Sequence, residues 1–313
     1  MKTRFKKTLI ASAAAAAFGL SGAAGAVEFL FDADAGGTDF GYVNSPLDPS
    51  AGDYRPVNLF GLRAKSNYDV VIDTGVAGGV DTIDAGDTFT ESILFNLERT
   101  VDSGGNTVWT YNIKPSGGGF SVTSSFVYFD VQLSGVISSY SGGADGPTSL
   151  ACLGLGTCSV VDDVFDFDFT GGTIDIYYDD DATPGGDMLL ASLTVTGGGA
   201  DNFSFDNPTA TADIGVIAEF DWVLDGVFSY LGGTDFADAL AAGTVITALA
   251  DASVNLEGVG GAPGLGTGGG DLIILTVSDN GTTARIPEPV SAALVGLGLL
   301  GIGGLARRRR RAS

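Results

Sequence analysis

The chain has no histidine among its 313 residues, and only two of its residues are cysteine. Without imidazole there is no Ser-His-Asp or Cys-His nucleophile, no zinc site built on histidine, and no histidine to carry protons near neutral pH. A catalytic thiol would also lack its partner base. The chemistry left to the sequence is therefore that of carboxylates, hydroxyls and aromatic rings.

Basic residues are scarce, and most of them lie at the two ends of the chain. Lys and Arg number 15 against 38 Asp and Glu. Residues 1–26 hold four of the basic residues and residues 290–313 hold five, with no acid in either segment. Six basic residues remain between the ends, and 6 − 38 gives that part a formal charge of −32. Such a surface repels nucleic acid, phospholipid and anionic polysaccharide, so nucleic-acid binding is excluded.

The first 26 residues have the three parts of a secretory signal peptide. A basic start is followed by an apolar run over residues 9–20 and by Ala24-Gly25-Ala26, a small-x-small cleavage pattern. The basic residues are Lys2, Arg4, Lys6 and Lys7. No Arg-Arg pair precedes the apolar run, which favours the Sec translocon over the twin-arginine route. We expect signal peptidase to cleave after Ala26, so that the mature chain begins near Val27.

The other end combines a short motif, an apolar segment and a basic cluster. Pro287, Glu288 and Pro289 come first, and residues 290–306 that follow are apolar or small. As a helix this segment would be about 25 Å long, enough to cross a thin bilayer. The basic cluster is Arg307, Arg308, Arg309, Arg310 and Arg311, and it would hold that end on the cytoplasmic side. We therefore predict a transmembrane helix, with the residues before it outside the cytoplasm.

Together, the motif, the helix and the arginines resemble the PEP-CTERM sorting signal of exopolysaccharide-producing Gram-negative bacteria. The resemblance implies that residues 285–313 are recognised by an exosortase, a membrane-embedded cysteine transpeptidase. Such an enzyme cuts near the motif and releases or re-attaches the preceding domain at the cell surface. A plain C-terminal membrane anchor is the alternative. Residues 172–179 and 189–193 also resemble a segment of PEP-CTERM proteins linked to flocculation, which implies a role in cell aggregation.

The two cysteines are predicted to form a disulfide. Cys152 and Cys158 flank a glycine-containing stretch that is flexible enough to close a small loop. An exported chain reaches an oxidising compartment, where such pairs are oxidised. A metal site or a catalytic thiol is the alternative, and it lacks a partner base in this chain.

Residues 27–284 are expected to form one acidic all-β domain. Glycine accounts for 49 residues, and its clusters separate segments with apolar residues at alternate positions. These segments are 89–97, 108–113, 120–136, 173–178, 188–196, 209–220 and 272–277. Such a pattern is typical of an antiparallel sandwich or jelly roll. The one helix predicted here runs from Thr234 to Ala242, with Thr234 as N-cap and Gly243 as its stop, and residues 258–270 are expected to be a loop.

Carboxylates are crowded in three of the expected turns. The favoured cluster lies between segments 173–178 and 188–196 and consists of Asp179, Asp180, Asp181 and Asp187. Two further clusters are Asp81, Asp84 and Asp87, and Asp32, Asp34 and Asp39. Ca²⁺ prefers oxygen ligands on flexible loops, and adjacent carboxylates repel one another unless a cation is present. The alternative is a solvated acidic turn that keeps the sheet soluble.

Two other functions are compatible with this composition. Amphipathic rings either stack on sugars in a carbohydrate-binding module or pack in the core, and the candidates are Trp109, Tyr111, Tyr128, Trp222 and Tyr230. A glycoside hydrolase needs two carboxyl groups, one of them with a raised pKa, and Glu219 inside the apolar run 214–223 is the candidate acid. The sequence favours a third reading, a non-enzymatic exported protein of the cell surface or matrix, which associates with exopolysaccharide and divalent cations.

Overall fold

A computed structural model describes residues 28–31, 55–64, 67–76, 82–110, 115–116, 119–120, 126–179, 187–206 and 214–287. Contacts divide the chain into one compact unit, residues 28–285, and a second unit formed by residues 1–27 and 286–313. Of the second unit only Ile286 and Pro287 are described, so the predicted signal peptide and C-terminal helix lie outside the described residues. Within the described residues, no helix has the length and apolar character needed to cross a membrane.

The compact unit consists mainly of β-strands. In chain order they are β1 (Phe29–Phe31), β2 (Arg55–Val57), β3 (Leu59–Ala64), β4 (Tyr68–Asp73), β5 (Thr88–Val101), β6 (Thr107–Thr110), β7 (Pro115–Ser116), β8 (Gly119–Phe120), β9 (Phe126–Ser141), β10 (Val164–Asp179), β11 (Met188–Phe203), β12 (Ile214–Val223), β13 (Phe228–Tyr230), β14 (Thr247–Ala252), β15 (Val254–Ala262), β16 (Leu272–Asp279) and β17 (Thr282–Arg285). The helices are α1 (Leu150–Leu155) and α2 (Phe236–Ala241), and Thr267–Gly269 forms a 3₁₀ turn.

Eight strands form a closed ring of hydrogen-bonded neighbours. The order is β5-β3-β17-β14-β12-β11-β10-β9, and β9 pairs with β5 to close it. The long strand β5 also pairs with β4, from which β16 and β15 extend the sheet. All these pairings are antiparallel, so the predicted all-β antiparallel class is confirmed. The hydrogen bonding is continuous around the ring, whereas a sandwich or jelly roll would keep two separate sheets.

Alternation along the strands directs one set of side chains into the ring. On β5 the residues Phe89, Ile93, Phe95 and Leu97 are buried, and Thr88, Thr90, Ser92 and Leu94 are exposed. Its neighbour β9 buries Val127, Phe129, Val131, Leu133 and Ile137. Because successive side chains of a strand point to opposite faces, the polar residues of these strands form the outer face of the ring.

An aromatic cluster packs around β1, β13 and α2. Phe29, Phe228 and Phe236 are completely buried. The ring of Phe228 contacts those of Phe29, Phe220 and Phe236 with centroids 5.7 to 5.9 Å apart. Burial of Phe236 and Ala239 therefore anchors a helix of only six residues.

Glycines allow β10 and β11 to bend as the ring closes. Gly172, Gly198 and Gly199 have φ values of 144°, 119° and 146°. Register shifts lie close to them, between Phe169 and Gly171 on β10 and between Val195 and Gly197 on β11. Bulges of this kind increase local twist, and only glycine adopts this backbone conformation without strain.

The predicted helix is confirmed, but its cap is different. Asp235 rather than Thr234 is the N-cap, and its carboxylate accepts hydrogen bonds from the amides of Ala237 and Gly226 at 2.7 Å. The carbonyl of Thr234 instead accepts from the amide of Tyr230. Both residues are good N-caps by type, so the choice depends on the turn that precedes the helix.

The first five residues of the predicted loop 258–270 are a strand. Residues 258–262 belong to β15, which pairs with β16 from Val254 to Ala262. Glycine lowers strand propensity, but the pairing satisfies the backbone and the strong strand β16 supplies the partner. The predicted loop is therefore limited to the residues after Ala262.

Candidate functional site

Polar residues on the outer face of β5, β9, β10, β11 and β12 lie in rows that run across the strands. One row contains, strand by strand, Leu94, Asp130, Asp175, Ser192 and Trp222. The adjacent row contains Ser92, Gln132, Thr173, Thr194 and Glu219. Neighbouring strands are about 4.8 Å apart, so each row presents a side chain at roughly that interval. We call these two rows, with the tyrosine pair described next, the outer polar face.

Tyr128 and Tyr177 form a stacked pair in a third row, where β9 pairs with β10. Their ring centroids are 5.2 Å apart and the ring planes are inclined by 19°. The Tyr128 hydroxyl donates a hydrogen bond to Oδ2 of Asp187 at 2.6 Å. Both side chains are partly exposed. Stacking and the hydrogen bond therefore hold an aromatic surface in place at the solvent boundary.

Three carboxylates act on the hydroxyl of Tyr177. Burial raises the pKa of Tyr177, and the charges of Asp175, Asp130 and Asp187 raise it further. The Ser192 hydroxyl donates to Asp175 at 2.5 Å, and the Gln132 amide donates to Asp130 at 2.9 Å. These donors are neutral, so they position the carboxylates without cancelling their charge.

No basic residue offsets this negative charge along β9, β10, β11 or β12. Residues 115–284 contain neither lysine nor arginine, and all of β9, β10, β11 and β12 fall in that range. The field over this side of the ring is consequently negative. It attracts cationic groups and repels anionic ones.

A groove continues the outer polar face towards β4. Its volume is about 640 Å³, within the usual range for ligand pockets. The lining residues that point outward are Asn67, Asp69, Val71, Thr90, Ser92, Leu94, Gln132 and Ser134. Ser92, Leu94 and Gln132 belong to both the groove and the rows, so the two features are continuous. The groove offers hydroxyl, amide and carboxylate groups beside two aliphatic side chains.

Only some of the predicted aromatic rings lie on this face. Tyr128 does, and Trp222 is 43% exposed at the end of its row. Tyr230 packs on Phe236 with centroids 4.6 Å apart, and the side chains of Trp109 and Tyr111 lie outside the described residues. Tyr177 was missed by sequence reasoning. The alternation of Thr173, Asp175 and Tyr177 was the available signal, because it places these residues on one face.

The predicted calcium clusters are described only in part. Asp187 accepts from Tyr128, whereas the side chains of Asp179, Asp180 and Asp181 lie outside the described residues, as do Asp32, Asp34, Asp39 and Asp81. Asp84 and Asp87 are engaged within their own loop, since Asp87 Oδ2 accepts from the Asp84 amide at 2.8 Å. Among the described residues, no three acidic or cysteine side chains are arranged to hold a metal ion. The Asp179–Asp187 site stays a prediction.

Several of the other aspartates stabilise turns. Each accepts a hydrogen bond from a backbone amide close by in the chain or in a neighbouring loop. They are Asp73 (from Gly75 and Thr267), Asp102 (from Asn106), Asp163 (from Gly143), Asp271 (from Gly264) and Asp279 (from Gly281). The short aspartate side chain suits this role, which gives a structural reason for much of the acidity.

The carboxyl group with a strongly raised pKa differs from the predicted one. Burial raises the pKa of Glu91 to about 7. Glu91 lies on β5 at the edge of the groove. Its neighbours Thr90 and Ser92 are exposed, so alternation along the strand directs the Glu91 side chain to the interior, beside the buried Leu133. Glu219, the predicted acid, lies on the outer polar face opposite Thr194.

Cys152 and Cys158 are joined in a disulfide, with Cα atoms 5.4 Å apart. The bridge connects α1 to the residues just beyond its C-terminal end. The Ser149 hydroxyl caps the helix by accepting from the Cys152 amide at 3.2 Å, and Gly156 ends it with φ of 64°. Sequence reasoning found the bridge but missed the helix, which is only six residues long.

The predicted sorting and cleavage residues lie almost wholly outside the described residues. Pro287 is described, whereas Glu288, Pro289 and arginines 307–311 are not, and neither are Ala24 and Ala26. Their roles stay predictions.

The chain matches no protein-family model, no curated protein and no solved structure. A function for this chain therefore has to be inferred from its sequence and from the geometry of the outer polar face.

Proposed function

We propose that the chain is an exported, non-enzymatic protein of the cell surface or extracellular matrix of a Gram-negative bacterium. It is sorted by an exosortase and associates with exopolysaccharide. The observation that carries the proposal is the position of a strongly acidic β domain, in which acids far outnumber basic residues, between two segments with the composition of processing signals. Its alternative is a carbohydrate-binding module acting alone, which the partly exposed Tyr128–Tyr177 pair also favours.

The export route is supported by the residues at both ends of the chain. A basic and apolar start followed by Ala24-Gly25-Ala26 suits the Sec translocon and signal peptidase. At the other end, Pro287, Glu288 and Pro289 precede an apolar segment and five arginines, which suits an exosortase. Before processing, that segment anchors the chain in the membrane.

The described domain supports a role in binding rather than in chemistry. Its outer polar face combines hydroxyls, amides, carboxylates and partly exposed rings, the groups that contact sugars. The carboxyl group with the pKa suited to proton transfer, Glu91, faces the interior. A hydrolase would need that group beside a second carboxylate in an open cleft.

Sorting can be tested in cells that express the full chain. Replacing Pro287, Glu288 and Pro289 with alanine is expected to leave the protein in the membrane fraction, with loss from the matrix. A matched variant with alanine at the exposed residues Asp145, Asp206 and Asp225 controls for a three-residue change in the folded domain. An unchanged matrix fraction after loss of the motif would contradict exosortase sorting and would favour a plain membrane anchor.

Association with polysaccharide can be tested on isolated matrix. Digesting the polysaccharide with glycosidases is expected to release the protein, whereas nuclease treatment is not. Retention after complete digestion would contradict the proposal. Calcium is a further proposed component, and a chelator is then expected to disperse aggregates and lower the melting temperature. If EDTA changes neither, the calcium component is wrong.

A further inference from the structure

The outer polar face has chemistry that selects among polysaccharides. We propose that it binds a glycan that carries free amino groups, such as a polymer of deacetylated amino sugars. The ammonium groups lie beside Asp130, Asp175 and the ring of Tyr177, and the hydroxyl groups lie along the row from Ser92 to Thr194. This inference rests on the proposed association with polysaccharide and names its substrate class.

The outer polar face combines an aromatic ring with several carboxylates. Asp175, Asp130 and Asp187 all act on the hydroxyl of Tyr177, whose ring is stacked on Tyr128. An ammonium group gains from carboxylate hydrogen bonds and from the face or edge of such a ring at the same time. A neutral sugar would use the ring but would leave the closely spaced carboxylates without a cation.

Asp130 and Asp175 lie directly opposite each other on neighbouring strands. These residues are register partners on β9 and β10, and each accepts a hydrogen bond from a neutral side chain. Like charges directly opposite each other destabilise a sheet. Strands β9 and β10 contain no lysine or arginine that could reduce this repulsion. A ligand with a positive charge between the two carboxylates would remove it.

The shape of the outer polar face suits an extended polymer. The rows run across the strands from β5 to β12, so at about 4.8 Å per strand they cover roughly 20 Å. In the row from Ser92 to Glu219 each strand adds one polar side chain, at a spacing comparable with one sugar ring. The groove beside Ser92 and Gln132, which has a volume of about 640 Å³, continues the same surface.

A basic peptide is the competing occupant, and the topology disfavours it. Strands β9, β10, β11 and β12 are each paired on both edges, so a peptide cannot add to the sheet through its backbone. The apolar members of the two rows are limited to Leu94 and Trp222, which lie at opposite ends of one row and are too far apart to form one apolar pocket for a peptide side chain. The hydroxyl, amide and carboxylate groups of the two rows match the polar groups of a glycan better.

Binding can be measured by calorimetry with the whole protein and three glycans of matched length. They are a glucosamine oligosaccharide, its fully N-acetylated form and a uronic-acid oligosaccharide. We expect the glucosamine form to bind about tenfold more tightly than the acetylated form, and the uronic-acid form not to bind. Equal affinity for the first two glycans would overturn the inference, and so would equally tight binding of oligolysine.

Variants of equal net charge separate the face from general acidity. Asp130→Asn with Asp175→Asn keeps the side-chain oxygens that accept from Gln132 and Ser192, and is expected to weaken glucosamine binding about tenfold. Asp145→Asn with Asp206→Asn removes two exposed charges beyond the other ends of these strands and is expected to change affinity by less than about twofold. Equal loss in both double variants would overturn the assignment to this face.

The two proposals can fail separately. Glycosidase-sensitive retention in the matrix with no preference for free amines leaves the proposed function in place and overturns this inference. Amine-selective binding by a protein that is absent from the matrix leaves this inference in place and overturns the proposed function.

Discussion

Asp130 and Asp175 lie directly opposite each other on β9 and β10, in the middle of a strongly acidic face. A cross-strand pair of like charges costs a few tenths to about 1 kcal/mol relative to a neutral pair. Here Ser192 and Gln132 orient the two carboxylates but add no positive charge. Positions where a fold keeps such a conflict are typical of sites retained for binding rather than for stability.

Replacing Asp175 with asparagine should stabilise the protein at neutral pH. The change removes the repulsion with Asp130 and keeps an oxygen to accept from Ser192, so the free energy of unfolding should rise by about 0.5 kcal/mol at low salt. In about 1 M salt, where screening acts over roughly 3 Å, most of the gain should disappear. Urea unfolding at two salt concentrations measures both effects. Asp145→Asn is the control, and an equal gain there would show that net charge alone is responsible.

Removal of the ionisable group at Glu91 should give a pH-dependent gain in stability. The pKa of Glu91 is about 7 in the folded protein against 4.5 for a glutamate in the unfolded chain, so the native state binds the proton more strongly than the unfolded state does. The native state therefore loses stability as the pH rises from about 4.5 to 7, and the loss is complete above 7. Glu91→Gln avoids this loss, and should raise the free energy of unfolding at pH 8 by up to about 3 kcal/mol.

The matching measurement at pH 4.5 should show almost no gain from Glu91→Gln, because Glu91 is then protonated in the native state. Glu257→Gln serves as the control. Glu257 is exposed and its Oε1 accepts from Ser278 at 2.6 Å, which a glutamine oxygen can also do. A gain from Glu91→Gln that is the same at both pH values would contradict a protonated buried carboxyl.

The strands were largely predictable because period-two alternation is a local signal. Segment 89–97 lies within β5 and segment 173–178 within β10, and the acidic residues after Tyr178 do join β10 to β11. The closure of the ring was not predictable in this way. It depends on β5 pairing with β9 and on β3 pairing with β17, contacts between residues far apart in the chain that no local pattern specifies.

The sequence predicted the chemistry of the candidate site but not which residues form it. Tyr128 and Trp222 are aromatic residues of the kind that bind sugars, and both lie on the outer polar face. Asp130 and Asp175 were missed because neither lies in a turn cluster of acids, and only the register of β9 with β10 brings them together. The sequence places Glu91 on the apolar side of β5 with Phe89 and Ile93, but the rise in its pKa depends on how completely the tertiary structure buries that side.

The disulfide should stabilise the protein by a modest amount. Chain-entropy arguments give about 2 kcal/mol for a loop as short as that between Cys152 and Cys158. Cys152→Ser with Cys158→Ser should lower the free energy of unfolding by that amount, and dithiothreitol should do the same to the wild type but nothing further to the variant. Unchanged unfolding of the double variant would show that α1 and its loop contribute nothing to global stability.

Gly199 and Gly197 should respond very differently to alanine, although they are two residues apart on β11. Gly199 has φ of 146°, and a Cβ there would collide with the carbonyl oxygen of Phe167 on β10. Gly197 has no heavy atom within 4 Å of the same added carbon. Gly199→Ala should therefore cost about 2 kcal/mol or more through backbone strain and loss of the β10–β11 pairing, while Gly197→Ala should be neutral or slightly stabilising. Thermal unfolding of the two variants measures the difference. Equal melting temperatures would mean that the positive φ of Gly199 is not needed to bend β11 into the closed ring.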